Sequence, residues 1–457
     1  MKYPAKNHAR RTVEILKKTE STASESLILL SATPVTLKKY SDREVPFHQN
    51  RYFNYFTGAH NLPGAHVTYD GSKDVLTLYL PDIDWDDVMW SGMPLSVEQA
   101  LELYDVDQVK YTADLSGDVY AHAKGSILVI EETTVVGNAV VSQPLFEALN
   151  EARAFKDSYE LSLLRKAAQI TDISHKAVMS ALPIEHNEGH IHAEFVYHSM
   201  RQGAKNVAYD PICCSGTNCG TLHYVRNDQD LDGKQLVLID AGAEWELYAA
   251  DVTRTFPISG EWTPESLAIY KAVLDMQTQA MEAVRPGALW DDLHILTHRL
   301  LVRHFLKLGI FKGGSEDEIL ESRISAAFYP HGLGHMLGME THDTAGYPNY
   351  QDPDPILRYL RIRRKLEEGM YVTVEPGIYF NRFLIEPVLK DESKAKYVDQ
   401  QVLEKYWAVG GVRLEDDVLV TKDGFENFTK IIKDPEEVSK LVKDGISKGR
   451  NHFHNLI

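Results

Sequence analysis

Residues 236–257 read LVLIDAGAEWELYAADVTRTFP. An apolar run from Leu236 to Ile239 stops at Asp240, and a second acid, Asp251, follows two alanines where another strand begins. The segment reads as a β-hairpin, and a turn at Trp245-Glu246 would set Asp240 directly opposite Asp251. Cross-strand neighbours on one face lie about 4.5–5.5 Å apart at Cβ. Two like charges at that distance repel, and burial makes ionising both harder still. Either one acid is protonated, a basic side chain stands between them, or metal ions do. A register shifted by one residue would instead let the two acids diverge.

Two further stretches repeat the pattern. In YVTVEPGIYF, residues 371–380, Glu375 ends an apolar strand just before Pro376-Gly377. In GVRLEDDVLV, residues 411–420, strand alternation puts Arg413, Glu415 and Asp417 on one face and Val412, Leu414 and Val418 on the other. Acids that interrupt apolar strands repeatedly imply a shared polar centre inside the fold. Between these stretches lies FYPHGLGHMLGMETHD, residues 328–343, with His331, His335 and His342. The i, i+4 spacing of His331 and His335 could mimic a zinc-protease helix, but Gly332, Gly334 and Gly338 would each weaken that helix by about 1 kcal/mol. An extended segment whose glycines let the backbone approach a site fits better.

Four carboxylates and one imidazole suit two divalent ions, because a ligand charge of -4 cancels +4. Such a pair can lower the pKa of a water and polarise a carbonyl, which makes metal-assisted hydrolysis the expected reaction class. Oxygen-rich ligation without thiolate favours a harder ion such as Mn²⁺, with Co²⁺, Zn²⁺ and Fe²⁺ also compatible.

The remaining sequence frames this centre. A chain of 457 residues and 51.7 kDa is long for a single core, so two domains are expected. Hydrophobic residues at 44% and charged residues at 25% are ordinary for a soluble globular protein. The opening MKYPAKNHARR is polar and basic, which predicts no secretory signal, and no apolar run approaches membrane-spanning length. Cys213, Cys214 and Cys219 form an odd set without zinc spacing, so a reducing, cytoplasmic setting is expected. A net charge of -18 argues against nucleic acid as a partner.

Residues 1–156 mix short strands and helices and read as an α/β domain, with HVTYDGSKDVLTLYLP as a hairpin and SVEQALELYDV as a helix. His48, Tyr52 and Phe53 in FHQNRYFNYFTG read as core and interface packing. At residue 157 the texture changes: Asp157 and Glu160 have capping-box spacing before a long helix. Helices are also predicted after Glu188, after Thr263-Pro264, and across 289–308, ended by Gly309. With the acid-bearing strands, residues 157–435 read as an α+β domain of helices covering a mostly antiparallel sheet. Residues 436–457 read as a polar, Lys-rich helical tail with a frayed end.

The order Asp240, Asp251, His335, Glu375, Glu415 resembles the metallopeptidase family of prolidase, aminopeptidase P and methionine aminopeptidase, which share the pita-bread fold. The resemblance implies that Asp240 chelates one metal and that Asp251 and Glu415 bridge both. His335 and Glu375 would hold the second, and Glu375 would also accept a proton from the attacking water. His223 in LHYVRN and His342 match histidines that position substrate and stabilise the tetrahedral intermediate, and His331 matches another active-site histidine. Arg413 matches an arginine of the site wall, and Tyr209 is assigned to substrate binding with it. The cysteines of CCSGTNC stand where smaller residues are common in the family.

An N-terminal domain weighs against methionine aminopeptidase. DPILRYLRIRRKLEEGM, residues 354–370, resembles eukaryotic prolidase, in which the arginine matching Arg361 binds the free carboxylate of an Xaa-Pro dipeptide. The resemblance therefore implies a prolidase, with aminopeptidase P, which trims longer peptides before proline, as the alternative. It also implies a homodimer. Non-catalytic pita-bread modules of chromatin factors and creatinase-like amidinohydrolases share the fold without this set of ligands, whereas all of them are present here.

Overall fold

In a computed structural model describing residues 2–21, 23–121, 125–133 and 135–448, the chain divides into two units, Met1–Ala154 and Phe155–Ile457. The first is built on a mixed sheet of β1 (Leu27–Ser31), β2 (His66–Asp70), β3 (Val75–Leu80), β4 (Gln108–Tyr111), β5 (Ile127–Val129) and β6 (Ala139–Val141), in the order β4-β3-β2-β1-β5-β6. The 66–80 segment is the expected hairpin. Its turn holds together because the Asp70 carboxylate accepts from Ser72 N and Lys73 N at 3.0 and 3.2 Å. Phe53, Tyr55 and Phe56 are fully buried in the core, whereas Tyr52 is half-buried and His48 is exposed.

The second unit carries the acid-bearing strands. β7 (Asn206–Val207), β8 (Ile212–Ser215), β9 (Leu236–Asp240), β10 (Ala243–Trp245), β11 (Tyr248–Ala249) and β12 (Thr253–Pro257) form two small antiparallel sheets, β11-β10-β7 and β12-β9-β8. β13 (Tyr371–Val374), β14 (Gly377–Tyr379), β15 (Gly411–Arg413), β16 (Asp416–Thr421) and β17 (Gly424–Asn427) form β13-β16-β17 and β14-β15, again antiparallel. Bridges from Thr253 to Glu415 and from Met336 to Val372 stitch the pieces together.

Long helices cover these sheets. Ser158–Ala181 starts as the capping box expected: Asp157 accepts from Tyr159 N and Glu160 N at 2.8 and 3.0 Å, and Glu160 accepts from Asp157 N at 2.9 Å. Such caps contribute about 1 kcal/mol. Pro264–Glu282 and Trp290–Leu308 pack an apolar cluster against Ile378, Val412 and Leu414, and Gly309 closes the latter helix in the left-handed region at φ +75°. The segment read as a polar tail includes a helix, Pro435–Lys448, whose Val438 and Val442 are fully buried in the cluster of Val237, Ile239 and Phe256. It is part of the second unit's core.

Two expectations about the strands are corrected. Asp240 pairs with Thr253, not Asp251, because the turn falls one residue later, at Glu246-Leu247, with φ of +49° and +70°. That is the positive-φ pair a two-residue hairpin turn needs, here without glycine or asparagine. The run 411–420 is not one strand but two in different sheets, broken at Leu414-Glu415.

Candidate metal centre

Asp240, Asp251, His335, Glu375 and Glu415 line a single cavity of about 370 Å³. Asp240 ends β9, Asp251 lies between β11 and β12, Glu375 follows β13, and Glu415 sits in the break between β15 and β16. Each acid thus stands where a strand stops, with its side chain turned inward. His335 comes from the glycine-rich segment, which has no regular secondary structure, as its glycines require. A Cβ on Gly334 would come within 2.0 Å of the Thr373 carbonyl oxygen, so only glycine lets this backbone lie on β13. His335 N then donates to Thr373 Oγ1 at 3.1 Å, and Thr373 N donates to the His335 carbonyl at 3.0 Å.

The donor atoms converge. His335 Nε2 lies 3.4 Å from Asp251 Oδ2, 3.5 Å from Glu375 Oε1 and 3.9 Å from Glu415 Oε1. One donor atom each from Asp251, His335 and Glu415 falls within 4.8 Å of the others. His335 Nδ1 is 3.0 Å from the Met336 carbonyl, which places the proton on Nδ1 and leaves Nε2 facing the carboxylates. Although Asp240 and Asp251 are not cross-strand partners, Tyr209 joins them: its hydroxyl lies 2.6 Å from Asp240 Oδ1 and 2.5 Å from Asp251 Oδ1. Tyr209, expected to touch substrate, therefore faces two of the acids.

Burial and then Asp240 push the Asp251 carboxyl up, and burial and then Asp251 push Glu415 well above the carboxylate range. Burial pushes Glu375 up to about 7. Burial pulls His335 down, but Asp251 and Glu375 outweigh it and leave the ring above its ordinary value. Buried carboxylates crowded around one imidazole form an electron-rich pocket short of positive charge, and their oxygen and nitrogen donors fit divalent cations.

The other predicted residues fall around this centre. His223, His331, His342, Arg361 and Arg413 all line the cavity, with Leu222, Tyr350, Tyr359 and Leu384 completing its wall. The His342 ring stands edge-on to His335 with centroids 4.5 Å apart, and burial followed by His335 holds it down at about 2. Burial lowers His223, and burial followed by Arg413 holds His331 well below its ordinary value. These three imidazoles are neutral. Asp417, placed on the same face as Glu415, lies behind the site, where its carboxylate accepts from Asp251 N at 3.2 Å.

Sequence reasoning missed two residues. The Tyr379 hydroxyl accepts from Arg413 Nη1 at 2.9 Å and lies 2.8 Å from His331 Nε2. His331 Nδ1 is 2.8 Å from the Gly332 carbonyl, so its proton sits there and Nε2 accepts from the phenol. Tyr379 shares the strand parity of Glu375, and that was the available signal. The other, Thr253, donates to Glu415 Oε2 at 2.7 Å and accepts from Arg413 Nε at 3.2 Å.

A cluster of this composition on sheets of this arrangement defines a metallopeptidase. Residues 162–422 match metallopeptidase family M24, and residues 8–129 match the aminopeptidase P, N-terminal domain. The chain belongs to metallopeptidase family M24, with a pita-bread catalytic domain preceded by that N-terminal domain. An uncharacterized peptidase of Saccharomyces cerevisiae is 50% identical over 100% of this chain and 87% of its own length. A protein of Botryotinia fuckeliana named "probable Xaa-Pro aminopeptidase" is 47% identical over 97% of both chains. Among solved structures, Escherichia coli aminopeptidase P with the inhibitor Pro-Leu is 29% identical, with a TM-score of 0.78 over 97% of this chain and 99% of that one. Pseudomonas aeruginosa aminopeptidase PepP is 28% identical, with a TM-score of 0.78 over 98% and 99%. The closer likeness to prolidase implied by residues 354–370 is not supported, since the Botryotinia fuckeliana relative and both solved structures bear the name aminopeptidase. No helix among the described residues is long and apolar enough to cross a membrane.

Proposed function

We propose that this protein is an Xaa-Pro aminopeptidase that releases the N-terminal residue from peptides with proline in second place. The observation that carries the reading is the full-length likeness to proteins named Xaa-Pro aminopeptidase, at 47% identity over 97% of the chain, together with a complete set of acidic and imidazole donors. Asp240, Asp251, His335, Glu375 and Glu415 would hold two divalent ions, Mn²⁺ being favoured by the oxygen-rich set. Bound there, the ions would polarise the scissile carbonyl and lower the pKa of a water.

The chain's own residues do the rest. Glu375, whose Oε2 lies 3.7 Å from His331 Nδ1, takes the proton of the attacking water. His223 and His342, neutral and on the cavity lining, hydrogen-bond the peptide and the oxygen that gains charge during attack. Tyr379 links His331 to Arg413, and Arg413 in turn holds Asp240, so the wall and the metal ligands are fixed as one unit. Proline explains the need for such a site. The Xaa-Pro bond is a tertiary amide without N–H and with a fixed φ, so a peptidase that relies on that hydrogen bond fits it poorly. We place the enzyme in the cytoplasm, where its three buried free thiols stay reduced, and read it as a homodimer.

The test offers Ala-Pro and Ala-Pro-Ala side by side with Mn²⁺. The tripeptide is cleaved at least as well as the dipeptide. Preference for Ala-Pro, lost in Arg361→Ala, would overturn the aminopeptidase reading in favour of a dipeptidase whose Arg361 captures the free carboxylate.

A further inference from the structure

His223 reaches the cavity from a stretch, residues 221–229, that contains neither helix nor strand. The residue as a whole keeps contact with solvent, but the next one, Tyr224, is buried. The anchor below is Glu188, a fully buried carboxylate in the first turn of the helix Glu188–Arg201. Its Oε1 accepts from Ser215 N at 2.9 Å, Ser215 Oγ at 2.5 Å and Asn218 Nδ2 at 3.2 Å. Its Oε2 accepts from Tyr224 Oη at 2.8 Å and Gln229 N at 3.1 Å. Glu188 N also donates to the Gln229 carbonyl at 2.9 Å, closing a reciprocal pair. Lys234 Nζ, 3.9 Å away, supplies the counter-charge.

This single carboxylate therefore ties the end of β8, the following turn and both sides of the His223 stretch to one helix terminus. Two asparagines outside this network reinforce the hold on the stretch: Asn227 accepts from Cys213 N at 2.9 Å and donates to the Pro211 carbonyl at 2.8 Å, and Asn187 donates to the Asp228 carbonyl at 3.1 Å. Leu222 and His223 alone project inward from this frame. A buried carboxylate receives so many donors only where the geometry it fixes is worth its desolvation. We propose that Glu188 is a positioning residue, acting through Tyr224 to hold the His223 imidazole at the place the peptide occupies. The inference rests on the reading of this cavity as the Xaa-Pro site.

The test uses the Mn²⁺-loaded full chain and the variant Tyr224→Phe, which removes one hydroxyl and leaves the rest of the Glu188 network in place. Hydrogen exchange without substrate is read first. Amides of 221–229 exchange about tenfold faster in the variant while those of 188–201 keep their rates, as loss of a tether that fixes one segment requires. Unchanged exchange at 221–229 overturns the proposal whatever the enzyme cleaves.

Kinetics on both Ala-Pro and Ala-Pro-Ala then separate positioning from general support. Tyr224→Phe lowers kcat/KM about tenfold, a modest misplacement of one contact group. Placed on His223→Ala, the same change lowers it less than twofold, since the residue it positions is gone. An equal loss in both backgrounds, or none in either, overturns the inference. A preference for the dipeptide would instead correct the length reading above and leave this cycle intact.

Discussion

Arg413 Nη2 lies 2.6 Å from Asp240 Oδ2, with both side chains largely buried. The same guanidinium reaches Tyr379 with Nη1 and Thr253 with Nε, so one planar group sets the orientation of Asp240 and of the histidine wall together. A lysine ammonium can occupy only one of these places. Arg413→Lys is expected to lower kcat/KM on Ala-Pro-Ala about 100-fold, the scale found when outer partners of metal ligands are lost, with a thermal midpoint close to wild type. Activity within twofold of wild type would mean the ion pair is incidental.

Chelation is expected to abolish hydrolysis of Ala-Pro-Ala, and Mn²⁺ to restore it. Asp251→Asn, which removes a charge from the centre of the cluster, is expected to bind less metal and to lose activity that added Mn²⁺ does not return. Metal content by elemental analysis, alongside rates, checks both. Wild-type metal content in that variant would show that Asp251 is not a ligand.

On the opposite face of β12 from Thr253, the fully buried Arg254 sits 2.8 Å from Asp416 Oδ1, and Lys433 Nζ is 2.7 Å from Asp416 Oδ2. Burial pushes the Asp416 carboxyl up, yet the two cations outweigh it and hold it at about 2. Arg254 also donates to the carbonyls of Glu415 and Ile431 at 2.9 Å. Removing the arginine leaves Asp416 with Lys433 as its cation and takes donors from two buried carbonyls, so Arg254→Leu is expected to destabilise the fold by about 3 kcal/mol in urea unfolding. The double variant Arg254→Leu, Asp416→Leu should recover part of that loss. No recovery would place the effect in the carbonyl contacts instead.

His294 is fully buried with Nε2 2.8 Å from the Ile356 carbonyl. Burial holds the ring down at about 4, below the roughly 6.5 of an unfolded chain. The folded state thus binds fewer protons than the unfolded one between these values, and the stability this neutral ring contributes is present above pH of about 6.5 and lost as pH falls toward 4. The gap in urea midpoint between wild type and His294→Gln is therefore expected to be widest at neutral pH and to narrow on acidification. A gap that stays constant from pH of about 7.5 to 5 would refute the assignment.

The acids that line the cavity are legible in the sequence because they interrupt apolar strands at three separate places. The hairpin register is not. Its turn uses Glu246 and Leu247 at positive φ, residues whose chemistry does not advertise it, so the hairpin was placed one residue out. Tyr209 then brought the two acids together from a third strand connection, a tertiary effect with no local signature. Arg254 looks like any outward strand position in TRTFP, and only the packing of 431–433 and Asp416 around it makes it a core residue. Peptide length was the least legible property, because Arg361 and Tyr350 meet at 3.4 Å across a segment without regular structure.

The inward-facing donors are spread over β9, the approach to β12, the glycine-rich segment, and the ends of β13 and β15. No single strand or loop holds more than one of them. The five donors meet only when Glu415, the last of them in chain order, has joined the fold. A divalent ion held by all five would therefore bind the folded domain rather than the nascent chain.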